Sequence, residues 1–134
     1  MTELGALRIV YVVDGDTSVR EGISRLLDSA GLEARPCASV EGFLAEVQAH
    51  HCACVLLDMS GDWERKAEVR ASLHIVAGKL PVIALSSSDG PDARRRAREM
   101  GARHFFQKPV DAAALLDSIE WVAQSDRRSA PPSR

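Results

Sequence analysis

The chain has 134 residues, of which 46% are hydrophobic and 27% charged, and its formal net charge is −2 at pH 7. This length fits one domain and leaves no room for a second catalytic domain. The small net charge creates no field that would draw the chain to nucleic acid or to an anionic membrane. Because no apolar run is long enough to span a membrane and the first residues lack signal-peptide character, we expect a cytoplasmic protein without membrane contact.

The first part of the chain alternates apolar runs with amphipathic stretches. Residues 8–13 predict a strand that is apolar on both faces, as in a buried parallel strand. Residues 19–30 have helical apolar spacing, and Gly31 follows as the stop signal. Residues 33–37 predict a short second strand, and Ser39 is placed to cap a second helix.

The remaining segments continue this alternation. Three further strands are predicted at 53–57, 80–85 and 104–107, and a crossover helix within 62–77. A polar helix is opened by Asp89 and Pro91 and has an apolar stripe of Ala93, Ala97 and Met100. The last helix has Leu115, Ile119 and Val122 on one face. Repeated strand–helix units predict an α/β fold with a doubly wound parallel sheet between two layers of helices. From residue 125 the composition turns polar, so we expect a domain at 1–124 and a flexible C-terminal tail or linker at 125–134.

The cysteines are interpreted as thiols, because three is an odd number and nothing indicates export. The cluster His50-His51-Cys52-Ala53-Cys54 contains residue types that bind zinc. Cys54, however, enters an apolar run and is expected to point into the core as a small hydrophobe. A structural role is therefore favoured over a metal site.

Polar side chains follow four of the predicted strands. Asp14 and Asp16 come after the first strand, Asp58 after the third, Ser86 after the fourth and Lys108 after the fifth. In a parallel sheet these ends meet at one edge, where open α/β sheets bind their ligands. Singly, each residue has a plainer explanation as a helix cap, a turn residue or a solvated charge. Their joint occurrence favours a common site.

The residue types suit phosphoryl transfer to a carboxylate. Asp58 is the candidate nucleophile, and Asp14, with Asp16 as a further candidate, is placed to hold Mg²⁺. Lys108 would bring a positive charge to one phosphoryl oxygen, and the Ser86 hydroxyl would donate a hydrogen bond to another.

These segments resemble the receiver domains of two-component response regulators, over about residues 7–124. The resemblance rests on Val12-Val13-Asp14 with Ser18-Val19-Arg20-Glu21, Val55-Leu56-Leu57-Asp58-Met59, Leu80-Pro81-Val82-Ile83-Ala84-Leu85-Ser86, and Gly101-Ala102 with Phe105-Phe106-Gln107-Lys108-Pro109. It implies a flavodoxin-like fold of five parallel strands and five helices, and a signalling switch rather than an enzyme.

The resemblance also implies a role for each site residue. Asp58 matches the phospho-acceptor, and Asp14, Asp58 and the main-chain carbonyl of Ser60 match the Mg²⁺ ligands. Lys108 matches the family's lysine, Ser86 the switch hydroxyl, and Phe105 the aromatic ring that changes rotamer. The implied phosphodonor is a phosphohistidine on a histidine kinase or phosphotransfer protein. The fourth helix, fifth strand and fifth helix form the implied surface for a homodimer or an output partner.

Two positions depart from the family pattern. Gly15 stands where a second acidic metal ligand is usual, which predicts weakened Mg²⁺ binding. The loop from Met59 to Trp63 lacks the usual proline-glycine turn, so the crossover helix is expected to start differently. These departures leave open an alternative, a receiver-like module that regulates by protein contact without phosphorylation.

Two further interpretations are weaker. A small flavin-binding protein has a similar topology, but Asp14-Gly15-Asp16 would repel a phosphate in its first loop. The basic run of Arg94, Arg95, Arg96 and Arg98 is read as a solvated helix face, with a protein contact as the functional alternative. Direct nucleic-acid binding is not expected, because no aromatic residues interleave with the arginines.

Overall fold

The computed structural model describes residues 9–47, 53–88 and 90–129, with side chains described up to residue 124. The strands are β1 (Ile9–Val13), β2 (Glu33–Cys37), β3 (Ala53–Asp58), β4 (Val82–Ser86) and β5 (His104–Gln107). The helices are α1 (Thr17–Ser29), α2 (Val40–Glu46), α3 (Ala67–Ala77), α4 (Pro91–Met100) and α5 (Ala112–Ser129), with a 3₁₀ turn at Trp63–Arg65.

The strands form one parallel sheet in the order β2-β1-β3-β4-β5. The predicted five-stranded, doubly wound architecture is confirmed. β1 and β3 lie in the middle of the sheet and are buried along their whole length, which explains why both read as continuous apolar runs rather than alternating ones.

Alternate side chains of the central strands enter two separate cores, because successive residues of a strand point to opposite faces. On one face Tyr11 and Val55 pack with residues of α2, α3 and α4. On the other face Val10 and Cys54 pack with residues of α1 and α5. The prediction that Cys54 points into a core is confirmed, since this side chain is fully buried. His50, His51 and Cys52 of the candidate zinc cluster lie outside the described residues.

Several predicted helix signals are found in place. The Ser39 hydroxyl accepts a hydrogen bond from the Gly42 N–H at 3.0 Å and caps α2. Gly31 has a φ of +83° just after α1, a conformation that glycine adopts without strain. The predicted apolar stripe of α4 and the predicted apolar face of α5 are both buried.

Other boundaries differ from the predictions. The crossover is divided, because Lys66 has an extended backbone with a ψ of 111° between the 3₁₀ turn and α3. β4 begins at Val82 and includes Ser86. Gly90 is the N-cap residue of α4 and makes no side-chain cap, whereas Asp89 and Arg8 lie outside the described residues.

The last helix is longer than expected, since α5 continues to Ser129 and so enters the segment predicted to be a tail. The division into a domain and a tail at residues 124 and 125 stays a prediction. Over the described ranges, no helix combines the length and the apolar character needed to cross a bilayer.

Candidate functional site

The carboxyl ends of four neighbouring strands bring the predicted site residues to one edge of the sheet. Asp14 follows β1, Asp58 ends β3, Ser86 ends β4 and Lys108 follows β5. The strand ends are joined by main-chain hydrogen bonds, such as the one from the Lys108 N–H to the Ser86 carbonyl at 2.8 Å. The parallel sheet therefore assembles residues that are up to 94 positions apart in the chain.

Lys108 connects the two buried aspartates. Its Nζ lies 2.7 Å from Asp14 Oδ2 and 3.1 Å from Asp58 Oδ1. The two aspartates are 3% and 8% exposed, respectively. Such buried carboxylates need a nearby cation, because burying an uncompensated charge is costly. Lys108 supplies that charge.

The environment also affects the ammonium group. Partial burial lowers the pKa of Lys108, but hydrogen bonds and charge interactions with Asp14 and Asp58 outweigh the burial, so that the pKa lies above its usual 10.5. Lys108 is consequently charged throughout the neutral range.

The two carboxylate oxygens of Asp58 have different surroundings. The Ser60 hydroxyl donates a hydrogen bond of 2.6 Å to Oδ2. Oδ1 is buried and accepts no hydrogen bond from the described residues, because the Lys108 ammonium is within ion-pair distance without hydrogen-bond geometry. A small rotation of the flexible ammonium would align a proton with Oδ1, and this oxygen would keep a second lone pair free as an acceptor.

Asp14 is held in place by the start of α1. Its Oδ1 accepts a hydrogen bond from the Asp16 N–H at 2.9 Å, and its main-chain carbonyl accepts one from Arg20 at 2.8 Å. The Asp16 carboxylate, the further candidate for a metal ligand, instead caps α1 by accepting from the Val19 N–H at 3.1 Å. Asp16 is exposed, so the structure does not bring its side chain to the two buried aspartates.

An open space next to Gly15 adjoins the two aspartates. This pocket has a volume of about 210 Å³, and its lining includes Asp14, Gly15, Asp58 and Ser60. A Cβ atom added to Gly15 would have the Ala38 carbonyl oxygen, at 3.7 Å, as its nearest neighbour, which is an ordinary contact. The backbone does not require glycine here, because the φ of Gly15 is not positive.

The oxygen donors in this pocket suit a hard divalent cation. Asp14 and Asp58 provide two carboxylates, and no residue in the described part of the chain donates a hydrogen bond to Asp58 Oδ1. Across the described ranges, no three acidic, histidine or cysteine side chains are close enough to hold a metal ion together. Mg²⁺ often binds proteins through only one or two carboxylates and keeps several waters. The residues present therefore fit Mg²⁺, with fewer acidic ligands than a three-carboxylate site would give.

The two predicted switch residues lie on β4 and β5. The Ser86 hydroxyl is buried and accepts a hydrogen bond from the Ser88 N–H at 3.0 Å. Phe105 is half-buried against the core next to α4, and the Arg94 guanidinium carbon lies 4.7 Å from the centre of its ring. Phe105 is therefore placed between the sheet and the surface formed by α4.

The predicted basic run of α4 is not uniformly solvated. Arg95 pairs with Asp92 and, at 3.7 Å, with Glu99 of the same helix. Arg96 lies 3.7 Å from Asp92 of the same helix, but its shorter ion pair, at 2.9 Å, reaches outside α4 to Glu64 of the 3₁₀ turn. One member of the run therefore ties α4 to the segment that follows Asp58.

Two contributors to the site were missed by sequence reasoning. The Ser60 hydroxyl turns back to Asp58, and Trp63 is only 6% exposed and lines the same pocket. The only available signal was the short separation of Ser60 and Asp58 in the chain, because the contact depends on the path of the loop. The burial of Trp63 had no comparable signal, since it depends on α3 and α4.

Comparison with known families agrees with this geometry. The family model for the response regulator receiver domain matches residues 10–120. The chain therefore belongs to the response regulator receiver family, whose members are signalling modules.

Individual relatives support the same assignment. The transcriptional regulatory protein TdiR of Thauera aromatica is 32% identical over 130 residues, covering 96% of this chain and 57% of TdiR. The solved structure of the response regulator StyR has 34% identity and a TM-score of 0.76, covering 92% of this chain and 62% of StyR. A CheY-like receiver domain protein from Methanospirillum hungatei JF-1 shares the fold with a TM-score of 0.78 at 19% identity, covering 93% of this chain and 100% of that one. The chain spans about 57% of the length of the curated relative TdiR.

Proposed function

We propose that this receiver domain accepts a phosphoryl group on Asp58 from a phosphohistidine of a histidine kinase or phosphotransfer protein. The observation that carries the proposal is the position of Lys108 Nζ, within 3.1 Å of Asp58 and 2.7 Å of Asp14 at the carboxyl edge of the sheet. A buried acceptor carboxylate, a second carboxylate and a fixed cation are the groups that such a transfer needs.

In the proposed reaction, one carboxylate oxygen of Asp58 attacks the phosphorus atom, and the other oxygen stays available to a cation. The new P–O bond forms while the P–N bond to the donor imidazole breaks, and that imidazole keeps the electron pair of the broken bond. Lys108 stays protonated and remains beside the acyl phosphate as its counter-charge.

Asp14, Asp58 and the main-chain carbonyl of Ser60 would hold Mg²⁺ in this proposal. When bound, the cation offsets the negative charge of the carboxylates and of the phosphoryl group. Asp16 supports the site through its main-chain N–H to Asp14 rather than as a ligand. Because Gly15 supplies no carboxylate, we expect the affinity for Mg²⁺ to be low.

The signal would pass from the site through Ser86 and Phe105 to the surface of α4, β5 and α5. Movement of the Ser86 hydroxyl toward a phosphoryl oxygen breaks its contact with Ser88 and opens space for the Phe105 ring. A homodimer or an output partner would then recognise the changed surface.

The test is the intact-protein mass after incubation with acetyl phosphate and Mg²⁺. We expect one added phosphate in the natural chain and none in Asp58→Asn, which keeps the shape of the side chain. Asp117→Asn, at an exposed position of α5, is the matched control and should gain the phosphate. A mass gain that persists in Asp58→Asn would contradict the assignment.

The open position at Gly15 favours a second candidate, a receiver-like module that regulates by protein contact without phosphorylation. This candidate predicts no mass gain in the natural chain at any Mg²⁺ concentration. A gain that appears only in Gly15→Asp would support it directly.

A further inference from the structure

A groove lies between α3, α4 and the 3₁₀ turn, on the side of these helices away from the sheet. It has a volume of about 950 Å³ and is lined by both helices, whereas the edge of the sheet with Asp58 opens into a different pocket. Nothing in the proposed phosphorylation reaction uses this groove.

α3 has one face toward the sheet and a second face toward the groove, which explains the poor apolar periodicity of its sequence. Val69, Leu73 and Ala77 are buried against the sheet. A second stripe faces the groove at spacings i, i+3, i+4, i+7 and i+8, and consists of Ala67, Arg70, Ala71, His74 and Ile75. This stripe is about 12 Å long at about 1.5 Å per residue, so it matches roughly two turns of an incoming helix.

The stripe combines three apolar side chains, those of Ala67, Ala71 and Ile75, with Arg70 and His74, and it is open to contact. Ile75 is 60% exposed, one of two large hydrophobic side chains described as exposed. Ala67 and Ala71 are small, which permits close approach of another backbone. Trp63 and Met100 are buried beneath the groove and line it, so a docked apolar side chain would rest on an apolar floor.

The rim carries positive charge that the described residues do not neutralise. Both acidic residues of the lining already contact arginines: Glu64 pairs with Arg96 at 2.9 Å, and Glu99 pairs with Arg95 at 3.7 Å. Arg70 donates to the main-chain oxygen of Glu64 rather than to a carboxylate. Neither Arg65 nor Arg70 has a carboxylate partner among the described residues. An incoming partner with carboxylates beside its apolar positions would complement both arginines.

We propose that this groove binds an acidic amphipathic helix of a partner protein. Helices recognised in grooves use apolar anchors at i, i+3 or i+4, and i+7, and the apolar positions of the α3 stripe, Ala67, Ala71 and Ile75, recur at the compatible spacing i, i+4 and i+8. A second copy of this chain is the alternative occupant, and its binding would appear as concentration-dependent dimerisation. The short contact predicts weak, micromolar binding.

The proposal is tested with a synthetic helical peptide of about 14 residues, roughly four turns, that carries leucines at the anchor spacing and glutamates on both flanks. A second peptide has lysines in place of the glutamates. Both are labelled with fluorescein and titrated with the natural chain, and binding is followed by anisotropy. Trp63 emission in a Trp121→Phe background reports occupancy of the groove, since Trp63 lines it.

We expect the glutamate peptide to bind the natural chain at least about tenfold more tightly than the lysine peptide does. We expect its affinity to fall about tenfold in the variant Ile75→Glu, and also in the double variant that combines Arg65→Ala with Arg70→Ala. All three positions are exposed, so the variants should fold. Trp121→Ala, at the other exposed hydrophobic position, is the control and should bind like the natural chain.

Three results would overturn the proposal. Equal affinity for the two peptides would exclude recognition of acidic residues. Concentration-dependent dimerisation that Ile75→Glu abolishes would assign the groove to a second copy. Binding of 8-anilinonaphthalene-1-sulfonate that depends on Ile75, without peptide binding, would assign it to a small amphiphilic anion. None of these measurements involves phosphorylation of Asp58, so they test the groove separately from the proposed function.

Discussion

Gly15 leaves space beside two buried carboxylates, and this space makes a specific substitution informative. A carboxylate about 4 Å from a unit charge contributes roughly 4 kcal/mol at an effective dielectric constant near 20, but its desolvation takes back much of that energy. We expect Gly15→Asp to tighten Mg²⁺ binding by a net of about 1–3 kcal/mol, which is about tenfold to a hundredfold. Titration by calorimetry, or by Trp63 fluorescence in Trp121→Phe, measures the difference.

The matched control for this substitution is Gly22→Asp, which adds the same charge. A Cβ atom at Gly22 has no neighbour within 4 Å, and Gly22 does not line the pocket. Mg²⁺ affinity should be unchanged in Gly22→Asp. Equal affinities of the natural chain and Gly15→Asp would mean that the missing carboxylate has no consequence for the metal.

Lys108 neutralises two buried carboxylates, so its removal should destabilise the fold. We expect Lys108→Ala to lower the free energy of unfolding by about 2–4 kcal/mol at pH 7, because loss of one partner leaves buried charges uncompensated. Mg²⁺ should restore part of the loss in this variant by taking the place of the ammonium. Urea unfolding with and without Mg²⁺ provides the measurement, and an unaltered midpoint would contradict this role.

Because the pKa of Lys108 is raised, the difference in unfolding free energy between the natural chain and Lys108→Ala should depend on pH. A group whose pKa is higher in the folded state contributes its full stabilisation below the unfolded value of 10.5, and loses it as the pH rises through the folded value. The difference in unfolding free energy between the natural chain and Lys108→Ala should therefore be constant from pH 7 to about pH 10, and shrink above that. A difference that grows with pH above 10 would reverse the assigned sign.

At the scale of elements, α4 and β5 connect the site to the surface. The Phe105 ring lies under Arg94 of α4. The Lys108 N–H donates a hydrogen bond to the carbonyl of Ser86 at the end of β4. Addition of a phosphate mimic such as beryllofluoride should change hydrogen exchange in residues 90–110 more than in α2, which contributes no switch residue. An unchanged pattern in residues 90–110 would contradict the proposed route.

Helix positions could be predicted from the sequence where local signals decide them. Ser39 caps α2 and Gly31 follows α1, because caps and left-handed stops depend on a few neighbouring residues. The crossover was harder to predict. α3 carries apolar or small residues on a core face and on a groove face, so no single stripe stands out, and no local signal marks the break at Lys66.

Strand-end chemistry made much of the candidate site predictable. Asp14, Asp58 and Lys108 each follow an apolar run, and a parallel sheet brings such ends together. The role of Asp16 could not be read in the same way, because only the turn geometry decides whether its carboxylate faces the pocket or caps α1. The contact between Ser60 and Asp58 likewise depends on the path of the loop.

At the scale of the whole molecule, the two buried thiols report on global unfolding. Burial raises the pKa of Cys37 to about 11 and that of Cys54 to about 12. At pH 8 both thiols are therefore protonated in the folded state, and the unreactive thiol form dominates. Because Cys54 lies in the central strand β3, we expect its alkylation to require unfolding of the sheet.

Iodoacetamide labelling of Cys52→Ser, followed by peptide mass mapping, tests this expectation. Cys37, on an edge strand, should react before Cys54, and the rate at Cys54 should rise with urea in parallel with the unfolding transition. Fast labelling of Cys54 in the absence of urea would contradict a uniformly stable central sheet.

The strand order leaves β2 and β5 as the two edges of the sheet, and the state of these edges affects aggregation and therefore expression yield. An unprotected edge strand invites other chains to extend the sheet, which leads to aggregates. β2 carries Glu33, Arg35 and Pro36, and proline offers no N–H to an incoming strand. β5 has only four residues and is followed by Lys108 and Pro109. Charged residues, prolines and the short length of β5 therefore protect both edges. We expect the domain to resist aggregation by strand addition even at high concentration.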